Sequence, residues 1–192
     1  RRLDWVSLGA VVLLLVAAGA THGAVFGSFS GYVAVAGGIV IGTLVGLAGA
    51  RWRWNPLEVL LAAIIFYLLA GGPLALPTTT GRWGVPTLAT LQGLVIGAVT
   101  SWKDLLTIAP PAASFVGPGI VPYLSGLLCS LVAVTIALRA GERRGWALVA
   151  VAALGLIGIL WGSQRAPLAL PAAAVALVVA MAWMAHLQQR GR

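Results

Sequence analysis

Residues able to perform covalent or acid–base chemistry are few in this chain. It holds one cysteine, Cys129, two histidines, His22 and His186, and four acids, Asp4, Glu58, Asp104 and Glu142. A cysteine nucleophile needs an imidazole within hydrogen-bond reach to take its proton. The apolar runs place Cys129 near the middle of one run, His22 at the outer end of another and His186 at the inner end of a third. Three different depths leave no Cys–His pair. Ser28, Ser30, His22 and Asp104 could share the outer face, but no motif frames them as a serine triad. A single cysteine excludes an internal disulfide, and Cys and His do not recur at metal-ligand spacing. The expectation is no catalytic residue, no metal and no cofactor.

The elements that would position these residues are set by composition. Of 192 residues, 60% are hydrophobic and 8% charged, against roughly 25% charged in a soluble domain. Together with a mean hydropathy of +1.02, this excludes a chain that covers its surface with polar side chains. The expected fold is all-α, a polytopic helical membrane bundle forming a single integral membrane domain over 1–192. The Ala-, Gly- and Arg-rich composition points to a bacterial plasma membrane. The chain opens on Arg1 rather than Met, so it is expected to be a segment of a longer protein.

A helix crossing the hydrocarbon core needs about 20 mostly apolar residues. Six runs approach or reach that length: Trp5 to Thr21, Tyr32 to Ala50, Leu57 to Leu76, Ile120 to Leu138, Trp146 to Gly162 and Leu168 to Ala185. The third carries a start signal, with Asn55 as N-cap, Pro56 at the first helical position and Glu58 placed to complete a capping box. Arg1 and Arg2 ahead of the first run, with Ala18-Gly19-Ala20 near its end, also fit a cleaved leader. Five further runs favour a retained helix.

Between spans three and four, residues 87–108 read as an amphipathic helix lying in the interface. Leu88, Leu91, Val95, Ala98, Trp102 and Leu105 recur on one side, with Thr90, Gly93, Gly97, Thr100, Ser101, Asp104 and Thr107 on the other. Charge tests that reading, because short cytoplasmic loops hold the excess of Lys and Arg. With six spans and both ends inside, nine basic residues fall inside and only Arg82, Lys103 and Arg165 fall outside. If Thr87 to Ser101 spanned instead, the split would be six against six. The net charge of +8 is therefore read as orientation in the bilayer, with no nucleic-acid partner. The eight Trp residues all fall near span ends or on the interfacial helix, as an aromatic belt does.

Gly38, Gly42 and Gly46 form a four-residue ladder on the second span, extended by Ala34 and Ala50. Small residues at this spacing let a second helix approach closely. Packing inside the bundle is the simpler reading, and a homo-oligomer seam the alternative. No span carries an ionisable residue near its centre, which argues against an ion-coupled carrier. Arg51, Arg53, Arg139, Arg143 and Arg144 gather on the inner face, where they set topology and could meet anionic lipid head groups.

The run Gly93 to Ala113, GLVIGAVTSWKDLLTIAPPAA, resembles the extracytoplasmic amphipathic helix and diproline in the N-terminal membrane region of TgpA-type bacterial transglutaminase-like proteins. The order of parts is similar too: three spans before it, a span after the diproline, a basic loop at Arg139 to Arg144 and an Arg-rich close near Arg190. The resemblance implies a non-catalytic anchor for a covalently linked extracytoplasmic domain with a Cys-His-Asp triad, none of whose residues lie on this segment. It also implies one more span after Arg192. The outer surface would be the helix bearing Trp102, Lys103 and Asp104, whose opposite charges could dock that domain. The alternative is a stand-alone small permease, channel or lipid-handling protein that uses the Gly38, Gly42, Gly46 seam.

Overall fold

The computed structural model describes residues 4–22, 29–81, 84–107, 117–160 and 169–190. The described residues form seven helices and no strand: α1 (Trp5–Gly19), α2 (Phe29–Trp52), α3 (Pro56–Ala75), α4 (Leu88–Thr107), α5 (Ile120–Arg139), α6 (Ala147–Leu160) and α7 (Ala169–Arg190). Two 3-10 turns, Pro77–Thr79 and Gly141–Trp146, lie between them. Arg1, Arg2, Ser28, Arg82, Trp83, Trp161, Arg165, Arg192 and the diproline after Ile108 lie outside the described residues.

Five stretches are long and apolar enough to cross a membrane: α2, α3, α5, the stretch Arg143–Leu160 that contains α6, and Leu170–Gln189 within α7. The protein is a multi-pass helical membrane protein by that measure. α1 departs from the expected first span. It has 15 residues, about 22 Å at 1.5 Å per residue, against a hydrocarbon core of about 30 Å. It ends at Gly19, where residues 20–22 turn back and the His22 amide donates to the Gly19 carbonyl at 3.1 Å.

Local chemistry accounts for the helix ends. The Asn55–Glu58 capping box is present, with the Glu58 amide donating to Asn55 Oδ1 at 2.9 Å and the Asn55 amide to Glu58 Oε2 at 2.7 Å. Asp4 caps α1 by accepting from the Ser7 amide at 3.3 Å. α2 stops because Arg53 takes the left-handed conformation at φ 59°, which lets the Trp54 amide reach back to the Gly49 carbonyl at 3.0 Å.

α5 is the central helix and touches α1, α2, α3, α4 and α6, with α2 as its most extensive partner. One apolar cluster joins α1, α5, α6 and α7 through Val11, Leu15, Ala133, Val134, Leu154 and Trp183. A second joins α2 and α3 to α4 and α5 through Val45, Val59, Ala63, Leu94 and Leu127. Large side chains such as Leu44, Leu61, Val95, Leu177 and Ile159 instead point outward. Such an apolar exterior suits lipid as the surrounding solvent.

The long-range contacts define two ends. At one, Arg144 pairs with Asp4, the Trp183 indole donates to Ser7, and Arg139 Nη2 donates to the Trp54 carbonyl at 2.7 Å. This end gathers Arg51, Arg53, Arg139, Arg143 and Arg144 with the start of α1 and the C-terminal part of α7. At the other, Thr21 Oγ1 reaches the Gly155 carbonyl at 3.4 Å, His22 meets Ser125, and Gly119 lies against the Ala75 backbone. Helices α1, α2, α3, α5, α6 and α7 therefore alternate in direction between the two ends.

Candidate functional site at the α4 end of the bundle

α4 does not follow that alternation. Read from its N-terminus, Thr90 lies against Gly72 and Leu94 against Gly71, near the C-terminal end of α3. Gly97 then meets Ile120, the first residue of α5, and the Ser101 hydroxyl donates to the Gly117 carbonyl at 3.2 Å. All four contacts sit at the end away from the arginines, so α4 begins and finishes near the same end of the bundle.

The face that α4 buries is the reverse of the one its sequence pattern suggests for a soluble protein. Thr90, Leu94, Gly97 and Ser101, at spacings of four, three and four, are buried, whereas Leu88, Val95, Ile96 and Val99 are exposed. The hydroxyl and glycine positions do not form a free polar face, as the sequence reading had it; they pack on α3 and α5. Glycine at position 97 admits Ile120, and hydroxyls find carbonyl partners inside protein that hydrocarbon would deny them.

One buried tyrosine fastens α4 to α3, and a second fastens α5 to α3 beneath it. The Tyr67 hydroxyl on α3 donates to the Leu94 carbonyl at 2.9 Å, and the Tyr123 hydroxyl on α5 approaches the Phe66 and Tyr67 carbonyls at 3.2 and 3.3 Å. Their rings stack with centroids 5.4 Å apart and planes 16° apart. The N-terminus of α4 is held by hydroxyls: Thr90 Oγ1 donates to the Thr79 carbonyl at 2.6 Å, and Thr87 Oγ1 to the same carbonyl at 2.9 Å. Burial without a partner would cost each hydroxyl roughly 1–3 kcal/mol, so these bonds specify position as much as strength.

At the far end of α4, Trp102 Nε1 donates to the Ala98 carbonyl at 3.1 Å within the helix. Lys103 is exposed and Asp104 half-buried. They are sequence neighbours and project in different directions, and no ion pair joins them. The side chains of Leu105 and Leu106 lie outside the described residues, as does Ile108.

His22 is not at the surface as expected. It is 3% exposed, with Nε2 3.4 Å from Ser125 Oγ and Nδ1 3.5 Å from Thr21 Oγ1. Burial lowers its pKa to about 4, partly offset by the backbone at Gly19. Ser125 Oγ also donates to the Pro122 carbonyl at 3.2 Å, so its proton is engaged with the backbone and its lone pair faces the imidazole. Cys129 lies one turn further along α5, half-buried and packed on the core around α1 and α6, with no hydrogen bond to either histidine. His186 is on α7, near the arginine-rich end. Ser30 is exposed on α2, and the serine triad weighed from the sequence is not assembled by Ser30, His22 and Asp104. Among the described residues no three His, Cys, Asp or Glu side chains gather into a metal-binding group.

The Gly38, Gly42, Gly46 ladder lies on the face of α2 that meets α5 of the same chain. Gly38 abuts the Tyr123 carbonyl and the Leu127 amide, Gly42 the Leu127 carbonyl and Ser130 Oγ, and Gly46 the side chain of Val134. The ladder is thereby filled, with no open surface for a second copy.

No known family, curated protein or solved structure matches this chain. Several residues in that geometry were not singled out from sequence. Tyr67, Tyr123 and Ser125 carry the α4 end; Asp4, Ser7 and Trp183 carry the other. Trp183, assigned above to the aromatic belt, is 2% exposed, and its indole donates to Ser7 Oγ at 3.1 Å. Asp4, three residues before Ser7, had the spacing of a helix cap, which was the available signal.

Proposed function

We propose that this chain is the non-catalytic membrane domain of a bacterial transglutaminase-like protein. In this reading α1, α2, α3, α5, α6 and α7 are six spans of the plasma membrane, both ends of the segment are cytoplasmic, and α4 lies in the interface on the extracytoplasmic side. The observation that carries it is the confinement of α4 to one end of the bundle, opposite the arginine-rich end. The helix is pinned by Tyr67 at Leu94 and by Ser101 at Gly117, so it is a fixed platform rather than a hinged lid. Its exposed apolar residues Val95, Ile96 and Val99 would rest among lipid, and the segment bearing Trp102, Lys103 and Asp104 would meet a covalently linked catalytic domain outside.

The alternative permease that assembles through the glycine ladder would need a seam that α5 already occupies. No apolar run carries an ionisable residue near its centre, which does not recommend a carrier.

Sidedness tests the arrangement. In a Cys129→Ala background, Lys103→Cys should react with a membrane-impermeant maleimide from outside intact cells, whereas Arg51→Cys and Arg143→Cys should react only after permeabilisation. Labelling of positions 51 and 103 from the same side overturns the interfacial placement of α4. The gene tests the anchor role: a further span followed by a domain with separated Cys, His and Asp motifs is expected beyond Arg192. A reading frame that stops there overturns it.

A further inference from the structure

At the arginine-rich end, α2 and α3 part around an apolar crevice of about 400 Å³ lined by Ile41, Leu44, Val45, Ala48, Trp52 and Phe66, and closed at its mouth by Trp54. The crevice extends along α2 from Ile41 to Trp52. Eleven steps of 1.5 Å between those two residues make that about 16 Å, close to the roughly 15 Å depth of one leaflet's hydrocarbon. Its floor is a single acyl chain long.

The mouth is cationic. Arg51 and Arg53 flank Trp52, both exposed and neither in an ion pair among the described residues. Arg139 reaches the end of α2 from α5 through its bond to the Trp54 carbonyl, which uses one of its five N–H donors. Arg53 occupies a left-handed position that glycine would fill at lower cost, by about 1 kcal/mol. The indole N–H groups of Trp52 and Trp54 have no hydrogen-bond partner among the described residues, and their rings lie 5.6 Å apart over the opening. Apolar walls of about leaflet depth, with Arg51, Arg53 and Arg139 at the same end of the bundle, suit a molecule with a long hydrocarbon chain and an anionic phosphate at its end.

We propose that this crevice binds one anionic phospholipid, with an acyl chain along Ile41, Leu44 and Ala48 and its phosphate held by Arg51, Arg53 and Arg139. The site does not depend on the transglutaminase-like reading, since it requires only that this end of the bundle face a bilayer surface. It turns part of the basic excess from a general topology signal into a defined lipid contact.

Native mass spectrometry of the full chain in mild detergent, titrated with phosphatidylglycerol or with phosphatidylcholine of the same acyl chains, tests it. Each arginine near the phosphate is expected to contribute about five-fold in affinity. The wild-type chain should favour phosphatidylglycerol by about a hundred-fold, and Arg51→Gln with Arg53→Gly should cut that preference to about five-fold, the share left to Arg139. Arg53→Gly suits the backbone at that turn, so loss of folding does not confuse the result. Ala48→Phe, which fills the crevice, should weaken retention of both lipids, and Arg143→Gln should leave the preference unchanged. Equal retention of the two lipids by the wild type overturns the proposal. So does a preference that the double variant leaves undiminished, or a lipid-free dimer that Ala48→Phe disrupts.

Discussion

The α2–α5 seam makes the sharpest quantitative prediction, because its three glycines differ in what a methyl group would meet. A Cβ at Gly38 would collide with the Tyr123 carbonyl oxygen and lie 2.8 Å from the Leu127 nitrogen. A Cβ at Gly42 would collide with Ser130 Oγ and the Leu127 carbonyl oxygen and lie 3.0 Å from the Leu131 nitrogen. At Gly46 the nearest atoms are side-chain carbons of Val134 at 3.1 and 3.2 Å. Restoring ordinary contact of 3.4 Å to the Leu127 nitrogen alone would part the helices by about 0.6 Å, and the carbonyl collision demands more. Overpacking against backbone belongs at the upper end of the usual range, about 3 kcal/mol, and alanine's better helix propensity returns about 1 kcal/mol. Gly38→Ala and Gly42→Ala should each lose about 2 kcal/mol, which in a domain this size lowers Tm by about 4–8 °C. Gly46→Ala should stay within about 2 °C of wild type, and so should Gly9→Ala, where nothing lies within 4 Å. Ser130→Ala should partly rescue Gly42→Ala, since it removes one of two collisions, and should not rescue Gly38→Ala. The assay is thermal unfolding in detergent, followed by loss of the monodisperse size-exclusion peak. Equal effects at all three positions, or an effect confined to oligomeric state, would refute the intramolecular seam.

Three further outcomes are expected. Tyr67→Phe removes the hydroxyl that fastens α4; polar bonds in membrane proteins average about 0.6 kcal/mol, so Tm should move little while hydrogen exchange around Leu94 rises several-fold. Asp4→Asn weakens a 2.6 Å ion pair whose acid is 7% exposed and whose arginine is 25% exposed, and it also loosens the Ser7–Trp183 link; a loss of about 1–3 kcal/mol in detergent unfolding is expected, and no change would remove the pair from the stability account. His22 stays neutral in the folded chain down to about pH 4, whereas an unfolded histidine takes up a proton near pH 6.5. The unfolded state therefore binds more protons in that window, so stability should fall as pH drops from about 6.5 to 4, by at most ~3 kcal/mol, and His22→Asn should flatten the curve.

Hydropathy and residue type determine the class of this protein without help from its contacts. Apolar runs of membrane length, the Asn55–Glu58 cap and the three glycines one turn apart are local facts, and the helices and the cap appear where those facts put them. What pattern alone does not decide is which face of a helix turns inward. Lipid is as apolar as a protein core, so Val95 and Val99 gain little by burial, and the inward face is chosen by close approach and hydrogen bonding. That is why Thr90, Gly97 and Ser101 pack on α3 and α5, against the sense of the amphipathic pattern. The same reason governs His22 and Trp183, whose polar atoms need partners that hydrocarbon lacks. Those partners, Ser125 and Ser7, lie 103 and 176 positions away along the chain, and Arg144 finds Asp4 across 140. Sequence therefore determined that the chain enters a membrane and where its helices run; the tertiary structure decided that α5 fills the glycine ladder, that α4 stays at one end, and that Arg139 of α5 meets the end of α2 at Trp54.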